Sequence, residues 1–409
     1  MHRIVIVGGS LAGLRAAEAL RRLGFDGVLT VIGREAHMPY DRPPLSKGIL
    51  TGAVEPSEIA LRQQGDLRVE WLLGMTVTDL DPAARVVRLA GGRAVPYDGL
   101  IAATGAVPRR LPGPDVPASM TGVHGLRTLE DALRLRDALA GRPRVAIVGG
   151  GFIGMEVASQ CRGLGLSVTV VTPDPVLGRA LGALSWSAEQ RARDYGVDVR
   201  AGRGVRSLLG QGHVEEIVLD DGERVAADVV IVAIGAVPAT GWLSGLGLDL
   251  NAGILCGPSL AVVGLDDVVA AGDVVRWPHP ARGGSAVRLE HWSSAGEQAV
   301  AAAERLLNGP DVAPHAPVPS FWSDQFGVRL QGVGHPDLAD AVDVVEGDPA
   351  SDRFVAEYRR SGRLVAALVA GAPRALLPYR RELAAPTTEV ERQEVDSAAS
   401  RPVAPRTAG

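Results

Sequence analysis

Twice in this chain a solid run of aliphatic residues ends in a glycine cluster that opens a helical pattern, and this repeat restricts the fold more than any other feature. Arg3–Val7 reads RIVIV and leads into Gly8-Gly9-Ser10-Leu11-Ala12-Gly13, and the run ending at Val148 leads into Gly149-Gly150-Gly151-Phe152-Ile153-Gly154. Runs without polar alternation suit strands buried on both faces, as in a parallel sheet covered by helices. After the first loop, Leu11–Leu23 sets Leu14, Ala17 and Leu20 at helical spacing, and Val28–Ile32 supplies a second strand. Arg144–Val148, Ile153–Leu164 and Ser167–Val171 repeat that order. Two such units place the chain in the α/β class, with two Rossmann-like domains.

The chemistry of such a loop is anion binding. Glycines permit the tight turn and the approach of a pyrophosphate, while the helix N-terminus offers unpaired N–H groups and the positive end of its dipole. The first loop carries Ser10 at its middle position, still small, and Glu35 follows the second strand where a ribose-binding acid is expected. The second loop matches G-x-G-x-x-G fully through Gly149, Gly151 and Gly154. The strand after it ends at Thr172, where an NAD site ordinarily carries an acid. Thr172 or Asp174 then serves the ribose 2′-hydroxyl, or Arg179 pairs with a 2′-phosphate. NADH is the expected nucleotide, and NADPH stays open.

The 409 residues suffice for two or three domains, with 46% apolar and 22% charged residues as in ordinary globular chains. A net charge of −5 gives no overall attraction to nucleic acid or to an anionic membrane. The longest uncharged stretch, Val229–Leu248, is broken by Gly235, Pro238, Gly241, Gly245 and Gly247, so no membrane span is expected. Cys161 and Cys256 form no CxxC pair and no zinc set, the eight histidines show no HxH or HxxxH pair, and no metal is expected. The amino-terminal MHRIVIVGG shows no secretory signal, and a cytoplasmic, reducing setting fits. Of 42 Lys and Arg residues, a single one, Lys47, is lysine.

Leu100–Ala103 and Val229–Ile234 read as strands whose ends, TGAVP and IGAVP, lie at a sheet's carboxyl edge. Past residue 315, FWSDQFGVRLQGVG, AVDVVEG, RFVAEYRR and LVAALVAG are short strands, and Leu376–Leu383 is a terminal helix. They indicate a C-terminal α+β domain with an antiparallel sheet. The expected division is 1–112 with 239–314, then 113–238, then 315–384, with a disordered tail over 385–409.

Eight motifs follow one another in a fixed order: GGSLAG at 8–13, PYDRPPLSK at 39–47, ATGAVPRRL at 103–111, LRTLEDA at 126–132, GGGFIGMEVAS at 149–159, AAGDV at 270–274, RLEHWSSAGEQA at 288–299 and FWSDQFG at 321–327. With them the chain resembles the FAD-dependent pyridine-nucleotide reductases, and more narrowly the ferredoxin reductases that feed cytochromes P450 and ring-hydroxylating dioxygenases. The resemblance implies FAD in the discontinuous first domain and NADH or NADPH in the second. It sets Gly8, Ser10, Ala12 and Gly13 against the FAD pyrophosphate and Glu35 near the adenosine ribose. Arg127 and Asp273 go to the phosphate and ribityl chain, Trp292 to the flavin ring, and Arg42 and Lys47 to the segment passing over it. Gly149, Gly151, Ile153, Gly154, Thr172 and Gly235 belong to the nicotinamide nucleotide. Lys47 pairs with Glu156, and these two are the expected catalytic residues.

A sole lysine among arginines suggests that a compact point charge is wanted at position 47. The resemblance further implies a 2Fe–2S ferredoxin as partner, with an oxygenase beyond it. Between Arg353 and Arg381 seven arginines face one acid, Glu357, so this stretch is either a docking face or the solvated side of strands. Trp322 is either core or a shielding or electron-exit residue at the flavin, and His291, beside Trp292 in sequence, approaches the flavin through position alone. A reductase of rubredoxin or of a quinone, or a flavin-bearing interaction protein resembling apoptosis-inducing factor, are the competing readings.

Overall fold

The computed structural model of the protein describes residues 1–111 and 120–385. The expected tail beyond Ala385 and the expected domain limit at 112 lie outside these residues.

Strand β1 (Arg3–Val7) and β2 (Val28–Ile32) flank helix α1 (Leu11–Arg22), close to the limits expected from the sequence. They belong to a five-stranded parallel sheet in the order Val268–Ala270, Gly99–Ala102, β1, β2, Val69–Leu72. Ile4, Val5, Ile6 and Val7 are buried in a core that takes in Leu14 and Leu20 of α1 together with Leu80, Val87 and Val95 of a three-stranded antiparallel sheet (Val77–Asp81, Val86–Leu89, Ala94–Pro96), which is why β1 shows no polar alternation. Leu14, Ala17 and Leu20 turn inward from α1, and the helix Trp292–Asn308 packs beside it.

The second unit repeats this plan with β3 (Val145–Val148), α2 (Phe152–Gly163) and β4 (Val168–Thr172). Its parallel sheet runs Asp198–Ala201, β4, β3, Val229–Val232, Val123–His124. The strands expected to reach Ala103 and Ile234 stop at Ala102 and Val232. The reason is common to both sheets. A Cβ on Gly8 would lie 2.0 Å from the Ala103 carbonyl oxygen, and one on Gly149 would lie 2.3 Å from that of Ala233. Both glycines hold positive φ, 130° and 115°, so each neighbouring strand ends where the loop needs its space. Beyond those ends, Ala106–Pro108 and Ala236–Pro238 pair as an antiparallel ladder, joining the two chain crossings between the units.

The C-terminal domain is a five-stranded antiparallel sheet with β5 (Ser320–Gln325) at one edge and β6 (Val328–Gly334) beside it. The other strands are Arg363–Ala370, Phe354–Arg360 and, at the far edge, Ala341–Gly347. The β5–β6 turn is Phe326-Gly327, with both residues at positive φ, 48° and 75°, as a two-residue type I′ hairpin demands. Phe326 is buried there against Tyr195, their rings 5.3 Å apart, and its backbone N–H donates to Ser159 Oγ on α2. One apolar cluster runs from Met155, Val157 and Leu181 of the second unit into Phe321, Phe354 and Tyr358 of the C-terminal sheet. The first sheet and its helices form a separate core. Among the described residues no helix is long and apolar enough to cross a membrane.

Candidate active site

Both glycine loops open into one cavity of about 800 Å³. Ser10, Leu11 and Ala12 line it at the start of α1, and Gly151, Phe152 and Ile153 at the start of α2. Neither helix start is capped by a side chain, and neither carries an acid in its first turn. Two sets of N–H donors are thus left for an anion, the condition for seating a pyrophosphate. Gly8 and Gly235 also line the cavity. Gly13, Gly149, Gly154 and Thr172 do not; they stand behind it. A Cβ on Gly13 would meet the Gly8 carbonyl oxygen at 1.9 Å, and one on Gly154 that of Gly149 at 2.1 Å, so these positions let helix and strand approach. Thr172 is buried under Gly150, with Oγ1 donating to the Asp174 carbonyl at 3.0 Å. Asp174 and Arg179 are exposed.

Glu35, Arg42, Arg127, Asp273 and Trp292 all reach the same cavity. Arg42 gathers its wall: Nη2 bonds Glu35 Oε1 at 2.7 Å, Nε donates to Ser10 Oγ at 3.3 Å, and Nη1 donates to the Arg127 carbonyl at 2.5 Å. Burial works against the Arg42 charge, yet neighbouring Tyr40 and Glu35 leave its pKa raised. Burial, and after it the Glu35 carboxylate, raises the Tyr40 hydroxyl, which donates to Glu35 at 2.5 Å. Arg127 Nη2 is paired with Asp273 Oδ2 at 2.7 Å.

Lys47 and Glu156 meet between the two loops. Pro43–Ser46 forms a single 3-10 turn that delivers Lys47, and Glu156 lies on α2, a turn beyond Phe152. Lys47 Nζ stands 2.7 Å from Glu156 Oε2, which also accepts from Ser46 Oγ at 2.5 Å. The other oxygen, Oε1, accepts from Ser323 Oγ at 2.7 Å. Glu156 is 4% exposed, so its charge is sustained by these three donors rather than by water. Sequence reasoning found Lys47 and Glu156, set Ser46 beside Lys47 without a part in holding Glu156, and missed Ser323. The only available signal was the alternation in β5, which turns Phe321, Ser323 and Gln325 inward.

Aromatic side chains close the cavity. Trp292 donates through Nε1 to Asp41 Oδ1 at 2.6 Å and meets Trp322 edge to face, with centroids 6.0 Å apart. Phe321 packs on Phe152 and His291, at 5.2 and 5.7 Å. Burial lowers the pKa of His291, whose Nδ1 is buried with no hydrogen-bond partner among the described residues. Cys161 and Cys256 are free and buried, and burial pushes both thiols up to about 12. The basic stretch is less bare than its sequence implied: Arg353 pairs with Glu346 at 2.7 Å, Arg359 with Glu357, and Arg380 faces Glu297 at 3.8 Å.

Comparison with known proteins agrees with this arrangement. Residues 2–299 match the model of the pyridine nucleotide-disulphide oxidoreductases, and residues 320–400 the model of a reductase C-terminal domain. The chain is 38% identical over 374 residues to a ferredoxin–NAD(P)+ reductase of a Sphingomonas species, covering 89% of this chain and 88% of that one. It is 36% identical over 379 residues to the ferredoxin reductase component of the chlorobenzene dioxygenase of a Cupriavidus species, covering 91% and 90%. The solved covalent complex of putidaredoxin reductase with putidaredoxin matches with a TM-score of 0.88 and 30% identity, over 98% of this chain and 99% of that one.

Proposed function

We infer that this chain, which belongs to the pyridine nucleotide-disulphide oxidoreductase family, is an FAD-dependent ferredoxin–NAD(P)+ reductase of an oxygenase system. Its partner is a 2Fe–2S ferredoxin that serves a dioxygenase or a cytochrome P450. One observation carries the reading: two uncapped helix starts and the buried Lys47–Glu156 pair open into a single cavity. FAD, when bound, supplies a centre that accepts a hydride and gives up electrons singly.

The protein's own groups bind, orient and exclude water. Gly8, Ser10 and Ala12 with the α1 start suit the FAD pyrophosphate, Gly13 brings that helix close, and Glu35 suits the adenosine ribose. Arg127 and Asp273 suit the phosphate and ribityl chain, Arg42 braces the wall between them, and Trp292 covers the ring. Gly151, Ile153 and Gly235 line the seat of NAD(P)H, and Gly149, Gly154 and Thr172 shape it from behind. Lys47 keeps a positive charge where the two nucleotides meet, and Glu156 holds it there. We assign the first unit, 1–112 with 239–314, to FAD, residues 113–238 to the nicotinamide nucleotide, and 315–384 to the acceptor side. Disulphide reduction elsewhere in this family calls for a reactive thiolate; two buried thiols pushed up to about 12 cannot serve, so electrons leave to an external carrier. Reduced thiols of this kind fit a cytoplasmic setting.

Steady-state reduction of cytochrome c by the purified holoprotein tests the reading. Strong dependence on added 2Fe–2S ferredoxin is expected, and fast NADH oxidation that needs no carrier overturns it. Breaking one half of a buried ion pair costs about 3–5 kcal/mol, so Lys47→Ala should slow flavin bleaching by NADH at least about tenfold in stopped flow. Thr172→Glu sets a carboxylate against a 2′-phosphate and should raise the NADH-to-NADPH ratio of kcat/KM by about tenfold.

A further inference from the structure

Glu156 lies at a junction of three parts of the chain. Lys47 and Ser46 reach it from the segment before residue 48, Glu156 itself rides on α2 of the second unit, and Ser323 comes from the C-terminal sheet. The donors are divided unequally: two converge on Oε2, and Oε1 has Ser323 alone. Ser323 is fully buried and has one proton to give. Gln325, also buried, donates through Nε2 to Ser323 Oγ at 3.1 Å, which occupies an acceptor site of that oxygen and leaves its proton for Glu156. β5 is fixed on α2 by the Phe321–Phe152 contact and by the bond from the Phe326 N–H to Ser159 Oγ.

We propose that Ser323, carried by the C-terminal domain, is a positioning residue for the hydride step: it pins Glu156 Oε1 so that Oε2 stays on the Lys47 ammonium. This rests on the reading of Lys47 as the cation beside the bound nucleotides. A buried carboxylate left short of a donor bears its full desolvation cost, which disfavours the anion and loosens its remaining partners. The acceptor-side domain therefore completes the site where hydride enters.

The sole lysine makes the test direct. Holoenzyme labelled with 13C at lysine Cε gives one side-chain signal, that of Lys47. In Ser323→Ala the chemical shift of that signal should move away from its wild-type value, flavin reduction by NADH should slow about tenfold, and the NADH Kd should hold within about twofold. Ser323→Thr restores the hydroxyl and should restore both readings. Gln325→Leu keeps the hydroxyl but frees its orientation, giving the same changes at smaller size, and serves if the alanine variant does not fold. Lys47→Ala is run alongside. If it slows reduction while Ser323→Ala and Gln325→Leu leave the lysine signal and the reduction rate unchanged, Ser323 is structural only and the proposal is overturned. If Lys47→Ala itself reduces at the wild-type rate, the reading of Lys47 fails and this proposal falls with it.

Discussion

Arg42 shows how much one side chain can be asked to do. Its guanidinium touches Glu35, Ser10 and the Arg127 carbonyl at once, and it lies against the Tyr40 ring at 5.2 Å. A planar fork with several fixed donors can meet these directions together; an ammonium cannot. Arg42→Lys should therefore weaken FAD retention about tenfold or more, read by the fluorescence of flavin released on dilution. Lys47 is the complementary case, a point charge facing two neighbouring acceptors, Glu156 and the Pro43 carbonyl at 3.3 Å. Its place was legible because an arginine-rich composition isolates it. Glu156 was legible only through resemblance. Ser323 was not legible at all, since a serine in an alternating strand looks like any other and its partner is 167 positions away. The charge balance of the arginines between 353 and 381 was partly hidden for the same reason: Glu346 and Glu297, which face two of them, lie outside the stretch.

At the scale of elements, the glycine loops were the most readable part, because their need for space is written into the residue type. Gly154→Ala would set a methyl 2.1 Å from the Gly149 carbonyl oxygen, so α2 must move off β3. The expected cost is about 1–3 kcal/mol, seen as a lower urea midpoint and a weaker NADH Kd, with FAD still bound at the other loop. Strand ends were less readable. TGAVP and IGAVP do mark strand ends, but just beyond those ends Ala106–Pro108 and Ala236–Pro238 pair as a ladder between the two units, a pairing that depends on chain segments more than a hundred residues apart. The β5–β6 hairpin lacks the Asn-Gly or Asp-Gly that usually marks a type I′ turn. Phe326 accepts a left-handed backbone because its ring is buried, and burial is a property of the assembled protein. Phe326→Ala should lose about 3–5 kcal/mol in urea unfolding.

Over the whole molecule, three histidines meet where the first unit and the C-terminal domain join. His279 and His335 have ring centroids 4.9 Å apart, and His315, ahead of β5, packs on Trp277 beside them. Burial, and then the nearby His279, pushes His315 and His335 down to about 4, and burial lowers His279 too; Arg282 and Asp337 are the charged neighbours. Unfolded, each titrates near about 6.5. As pH falls from there towards 4 the unfolded chain takes up protons that the folded one refuses, so stability drops across this window. Asp98 and Asp228, held to about 2 by hydrogen bonds from His2 and Arg144, lose their contribution only below the ordinary carboxylate range. The urea midpoint should fall steadily between pH 6.5 and 4.5, and His335→Gln should flatten that slope.

The core shared by the nicotinamide unit and the C-terminal sheet has a consequence for how such enzymes diverge. A hybrid built from two parents by exchanging only the acceptor-side module would bring foreign partners to Met155, Leu181 and the Phe152 ring. Exchanging it together with the second unit would keep that apolar core whole. A chimera that moves the second unit and the C-terminal sheet as one piece should therefore keep a higher urea midpoint than one that moves the C-terminal sheet alone.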